Sequence, residues 1–212
     1  DETAGHDAPI NFWNVHKGNT PPGKKPGHKY SGSDYYLTPD QVQKMIEAAP
    51  SLRDRILMRL LDITGGRRFE VAEIIIENID FEQKHYRIQR GKGGKRDAKN
   101  PEERRSRLVD LDDQELLRDL KMLIGKRTSG WLFPSSHKGV SRIDNSTINR
   151  IVAKAGQLAG LKSPNPTKKN IYPHLFRHGA GRKPIPLAAK QKLLGHRDAR
   201  TTLEMYGQLT FE

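Results

Sequence analysis

His174-Leu175-Phe176-Arg177, then Leu194-Gly195-His196, then Thr201-Thr202-Leu203-Glu204-Met205-Tyr206 follow one another in the last third of this 212-residue chain. Helical spacing of their apolar residues, broken by Pro184, Pro186 and Gly195, predicts short helices over 174–180, 186–194 and 201–209. The polar residues on these helices suit a phosphodiester. Arg177 offers a planar fork of N–H donors to phosphate oxygens. His174 and His196 exchange protons near neutral pH, and Tyr206 offers an oxygen nucleophile. A His-x-x-Arg pair alone carries little weight: with 8 His and 19 Arg in the chain, chance supplies ~0.7 of them. The pair needs company.

The company lies upstream. Thr38-Pro39-Asp40-Gln41 reads as a helix start, with a threonine cap, proline at the first position and glutamine three after the cap. Val42, Met45 and Ile46 then share one face. Ser51 caps a second helix with Leu52, Ile56, Leu57, Leu60 and Leu61 inward, and Thr64-Gly65-Gly66-Arg67 ends it. A short helix from Phe69 carries Glu70. Residues 85–90 alternate with Tyr86 and Ile88 on one face, and 107–111 alternate with Leu108 set apart from Val109 and Leu111. Together they predict a hairpin whose long tip spans 91–105. That tip holds Gly91-Lys92-Gly93-Gly94-Lys95, then Arg96, Lys99, Arg104 and Arg105. A helical stripe at Leu116, Leu117, Leu120 and Leu123 ends near Gly125. Trp131-Leu132-Phe133-Pro134 reads as a buried turn or strand. Residues 146–159 read as a helix with Ile148, Ile151, Val152 and Ala155 inward. The fold expected is mainly α with a small antiparallel β-hairpin or sheet.

Residues 1–36 read as a flexible basic arm or linker, punctuated by glycine and proline between lysines. The net charge of +13 and a pI near 10.0 favour an anionic partner, with nucleic acid foremost. Hydrophobic residues make up only 34%, yet runs such as Ile74-Ile75-Ile76 are dense enough for a core. The chain has no cysteine, which rules out disulfides and thiolate metal sites and favours a cytoplasmic setting. No apolar stretch approaches the ~20 residues of a membrane span, and no secretory signal is seen. Since the chain opens on Asp1, a trimmed fragment is expected.

In order, Arg67, Lys92, His174, Arg177, His196 and Tyr206 resemble the catalytic residues of the tyrosine recombinases, the phage-integrase family. The resemblance runs from Leu37-Thr38-Pro39 to about Leu209. It implies a catalytic domain over 37–212, with the separate core-binding domain of the family absent from this fragment. It also implies cleavage and rejoining of double-stranded DNA through a 3′-phosphotyrosine, in a tetramer assembled on DNA, with no metal or other cofactor and no membrane. Arg67 and Arg177 would flank the phosphate and stabilise its pentacoordinate transition state. Tyr206 would attack. A free phenol has a pKa of ~10, so about one in a thousand is ionised at pH 7, and His174 would help by proton transfer. His196 would hydrogen-bond a phosphate oxygen. Lys92 would protonate the leaving 5′ oxygen, with Lys95 as its rival. Glu70 would buttress Arg67 or His174, and Lys95, Arg96, Lys99, Arg104 and Arg105 would contact DNA. His178 reads as structural. The family usually has leucine where Gly66 stands, so a packing contact beneath Arg67 would be missing. The rivals are a catalytically silent DNA-binding module of the same fold and a type IB topoisomerase-like enzyme, which uses a similar residue set.

Overall fold

The structure is a computed structural model that describes residues 34–88, 107–135, 141–196 and 199–206. Helix α1, Pro39–Ala48, starts as its sequence dictates: the Thr38 hydroxyl accepts the Gln41 N–H at 3.3 Å while the Gln41 side chain accepts the Thr38 N–H at 3.1 Å. Helix α2, Leu52–Thr64, starts at Ser51 and stops at Gly65, whose φ of 53° ends the helix in the left-handed region. A five-residue α3, Arg68–Ala72, follows at once. A short 3-10 turn, Ile76–Asn78, leads into β1, Ile79–Asp80, which pairs antiparallel with β2, His85–Ile88. Strand β2 pairs in turn with β3, Arg107–Asp110. The sheet therefore has one strand more than the hairpin read from the sequence. A two-residue strand is too short to leave a periodic trace.

Helices α4, Gln114–Ile124, and α5, Asn145–Leu158, follow, capped by Asp113 and Asp144. Between them Leu132 and Phe133 are buried, Trp131 is half-buried and Pro134 is exposed. The buried turn of the sequence reading thus holds for its two central residues. The last described elements are α6, His174–Gly181, α7, Leu187–Leu194, and α8, Ala199–Tyr206.

Helix α2 forms the centre, packing on α1, α4 and α6, while α5 leans on α1 and α3. One core gathers Met45, Ile56, Leu57, Leu61, Leu120, Phe133, Ile148 and Phe176 with the inner face of the sheet, Tyr86, Ile88 and Val109. Leu108 points outward at 40% exposure, as the alternation requires. Ile151, expected inward, is only partly buried at the edge of the core. A second, small cluster of Ala180, Leu194 and Tyr206 sits where α6, α7 and α8 meet. The packed chain already includes Tyr35 and Tyr36, and Arg182 lies over the Tyr36 ring at 4.3 Å.

Candidate active site

The site grows from the end of α2. The Thr64 hydroxyl donates to the Leu60 carbonyl at 2.6 Å and accepts the Gly66 N–H at 2.9 Å, which turns the chain sharply. A β-carbon at Gly66 would stand 2.6 Å from that hydroxyl oxygen. Glycine there leaves room for the Thr64 hydroxyl that makes the turn, and the leucine expected from the family would have to displace it. Arg67 then caps α3. Its N–H donates to Glu70 Oε2 at 2.8 Å, and its guanidinium pairs with Glu70 Oε1 at 3.0 Å. The Glu70 side chain has no exposure at all. A buried carboxylate is tolerated when its oxygens are met by charged donors, and a second arginine, Arg107 of β3, reaches Oε2 at 3.2 Å.

Arg177 on α6 is 3% exposed and donates to two carbonyls, Gly65 at 2.7 Å and Leu194 at 2.6 Å. These bonds tie the end of α2 to the end of α7 and fix the aim of the guanidinium. Burial, with help from the neighbouring Arg67 charge, brings its pKa down to about 10, so it keeps its charge at neutral pH. The tie also resolves a matter of length. Arg177 and His196 stand 19 residues apart in the sequence, about one helical turn short of the family spacing. The short α6–α7 connection nonetheless closes.

His196 follows Gly195, which ends α7 at a φ of 61°. Its Nδ1 lies 2.9 Å from the hydroxyl of fully buried Thr202. Burial and the charges of Arg177, Arg67 and Arg107 push its pKa down to about 4, so the ring is neutral at physiological pH. A ring accepting the Thr202 proton at Nδ1 presents Nε2–H as a donor. Arg67, Glu70, Arg177 and His196 are thus brought together.

Tyr206 is placed differently. Its side chain is 2% exposed and lies over Gly181, where a β-carbon would come within 2.4 Å of the ring. Its hydroxyl pairs at 3.2 Å with Nδ1 of His178, not with His174. Burial pushes the phenol pKa up, against the pull of Arg177 and Arg182. Burial and the positive surroundings push His178 down to about 3, so two neutral groups share this bond. His174 is exposed. Its ring meets that of His178 edge-on at 4.5 Å, and it lines a groove of about 880 Å³ with Arg67, Arg68, Arg150 and Lys168. Lys92, Lys95, Arg96, Lys99, Arg104 and Arg105 lie outside the described residues.

Sequence reasoning passed over two residues. His178, taken as structural, is the partner of the phenol. Arg107 opens the 107–111 run, in which the alternation of apolar residues draws attention to Leu108, Val109 and Leu111 alone. Its signal was present: on a strand where Val109 and Leu111 face inward, Arg107 shares their side, and an inward arginine requires a buried partner.

A profile of the Phage integrase family matches residues 35–212. The chain belongs to the phage integrase family. Tyrosine recombinase XerA of Pyrococcus furiosus is 32% identical over 180 residues, which cover 82% of this chain and 57% of that protein. Among solved structures, the XerA recombinase aligns at TM-score 0.64 and 25% identity over 85% of this chain and 61% of its own. The XerH site-specific recombinase, solved on its difH substrate before cleavage, aligns at 0.62 and 24% over 81% and 49%. This integrase-family chain therefore has the mainly helical fold with a small antiparallel sheet expected of it. It spans little more than half the length of the curated relatives it matches.

Proposed function

We propose that this chain is the catalytic domain of a tyrosine-type site-specific DNA recombinase. The Tyr206 oxygen attacks the phosphorus of a DNA phosphodiester, the bond from phosphorus to the 5′ oxygen breaks, and a 3′-phosphotyrosine remains. The 5′ hydroxyl of another strand then reverses the step, so bond energy is retained without a nucleotide cofactor. Arg67 and Arg177 neutralise the phosphate and the charge that builds on its oxygens. His196 donates Nε2–H to one of those oxygens, and Glu70 holds Arg67 in aim. Lys92 supplies the proton to the leaving 5′ oxygen, and His174, beside the phosphate groove, takes the proton of the phenol. The substrate is double-stranded DNA, met inside the cell by a tetramer of chains. Lys95, Arg96, Lys99, Arg104 and Arg105 contact its backbone.

The observation that carries this reading is the convergence of Arg67, the cap of α3, and Arg177 of α6, tied to the Gly65 and Leu194 carbonyls, on the neutral His196. Relatives of the same fold named as recombinases support it. A silent binding module would have no need of two aimed arginines, Arg177 buried and Arg67 half-buried, beside a neutral histidine. With the phenol 2% exposed, attack requires it to leave its place over Gly181, so the described arrangement is a resting one.

The test is covalent capture. Incubated with a nicked recombination site, the protein should form an SDS-resistant adduct, and Tyr206→Phe should abolish it while DNA binding stays within about twofold of the parent, since one hydroxyl is lost. An adduct that survives in the phenylalanine variant would remove Tyr206 from the reaction.

A further inference from the structure

Arg107 joins three parts of the site that are far apart in the sequence. Its side chain is 9% exposed and donates to Glu70 Oε2 on α3. Its guanidinium lies under the turn that leads to His196, where a β-carbon at Gly195 would meet Nη1 at 2.5 Å and the central carbon at 3.4 Å. Its own strand, β3, is held in register by the pairing of Ile88 with Arg107. Its Nε is buried with no hydrogen-bond partner among the described residues. An arginine in the core of a small domain is costly unless something requires it there.

What requires it is the geometry of Glu70. The carboxylate is shared: Oε1 takes the Arg67 guanidinium, and Oε2 takes the Arg67 N–H and Arg107. Without Arg107, a fully buried carboxylate would have, among the described residues, only Arg67 as a charged partner. Arg67 would then be drawn onto Glu70 and away from an incoming phosphate. The turn at Gly195 would lose its floor, and His196 would lose one of the three cations facing it. From α6, the cap of α3 and β3 these are Arg177, Arg67 and Arg107, while α8 contributes the neutral Thr202.

We propose that Arg107 is a positioning residue of the strand-cleavage site, a third arginine that holds the Arg67–Glu70 pair and the Gly195–His196 turn in one arrangement around the phosphate. The proposal rests on the recombinase reading above. Lysine would supply the charge at this position but not a fork whose Nη2 meets Glu70 while Nη1 stands against Gly195.

The test compares Arg107→Gln and Arg107→Lys with the parent protein. It measures single-turnover adduct formation on a nicked site over a range of DNA concentrations, and the titration of His196 by NMR in the free protein. In both variants the rate at saturating DNA should fall on the order of 100-fold, as for a misplacement of about 1 Å, with the half-saturating DNA concentration little changed. The His196 midpoint should rise in the glutamine variant and stay low in the lysine variant, which keeps the charge. Should the glutamine variant fail to fold, the lysine variant decides, since its charge is retained and only the fork is lost. Parental rates at saturating DNA in a folded lysine variant overturn the proposal, as does an unmoved His196 midpoint in a folded glutamine variant. Absence of any adduct in the parent protein would instead overturn the recombinase reading, and the His196 titration would still test Arg107.

Discussion

At the scale of single residues, the site works by sharing. Glu70 serves two arginines, and Arg177 serves two backbone carbonyls 112 and 17 residues away. Each sharing removes freedom from a charged group before any substrate arrives, which is how a binding site avoids the cost of ordering its groups during the reaction. The general acid is open to a similarly sharp test. Lys92 is assigned only to protonate the leaving 5′ oxygen, so a better leaving group should make it dispensable. Lys92→Ala should cleave ordinary DNA slowly, by about 100-fold or more, and recover most of that loss on a 5′-bridging phosphorothioate. If Lys95→Ala shows this recovery and Lys92→Ala does not, the acid is Lys95.

At the scale of elements, α6 and α8 are fitted to each other through one missing side chain. Gly181 ends α6 beneath the Tyr206 ring, and a methyl group there would meet ring atoms at 2.4–2.7 Å. Overpacking of this kind costs about 1–3 kcal/mol. Gly181→Ala should therefore lower the unfolding midpoint and break the bond from the Tyr206 hydroxyl to His178. Thermal unfolding, together with NMR of the His178 ring, reads both effects. A Gly181→Ala protein with the parental midpoint and an unchanged His178 signal would show that the phenol does not rest on α6. The same contact explains why α8 keeps the Tyr206 phenol covered: the ring fills the small cluster between α6 and α7, and leaving it gives up buried apolar area.

At the scale of the whole molecule, the histidines tie stability to pH. His178 is held down to about 3, by burial first and then by His174, Arg177 and Arg182. His196 is held down to about 4, by burial first and then by Arg177, Arg67 and Arg107. In the unfolded chain both return to a pKa of ~6.5. Above that value the two states bind the same protons and stability is at its full level. As pH falls below it, the unfolded chain takes up protons that the folded protein refuses, so stability is lost progressively toward the folded values. Between about pH 6.5 and 5 ordinary carboxylates are still ionised in both states, so the decline there belongs to histidines. The unfolding midpoint should be level above pH 7 and drop from 6.5 to 5, and His178→Asn should flatten part of that drop. A midpoint that holds steady or rises as pH goes from 7 to 5 would contradict the burial of these rings.

The order of the helices, their caps at Thr38, Ser51 and Gly65, the inner face of the hairpin and the residue types of the site are legible along the chain. All of these follow from signals a few residues long: a period of 3.6 or 2, a capping side chain, a glycine where the backbone must turn left-handed. Which side chain pairs with which is set by the packing of the elements. Arg107 meets Glu70 across 37 residues, and the Tyr206 phenol meets His178 across 28, passing over the His174 that stands one helical turn away on the same helix. His174 and His178 share one face of α6, so the difference is which turn of that face α8 covers, and no local period encodes that. It is set by how α6, α7 and α8 close on one another, with Gly181 making room for the ring and Arg177 binding the ends of α2 and α7 together.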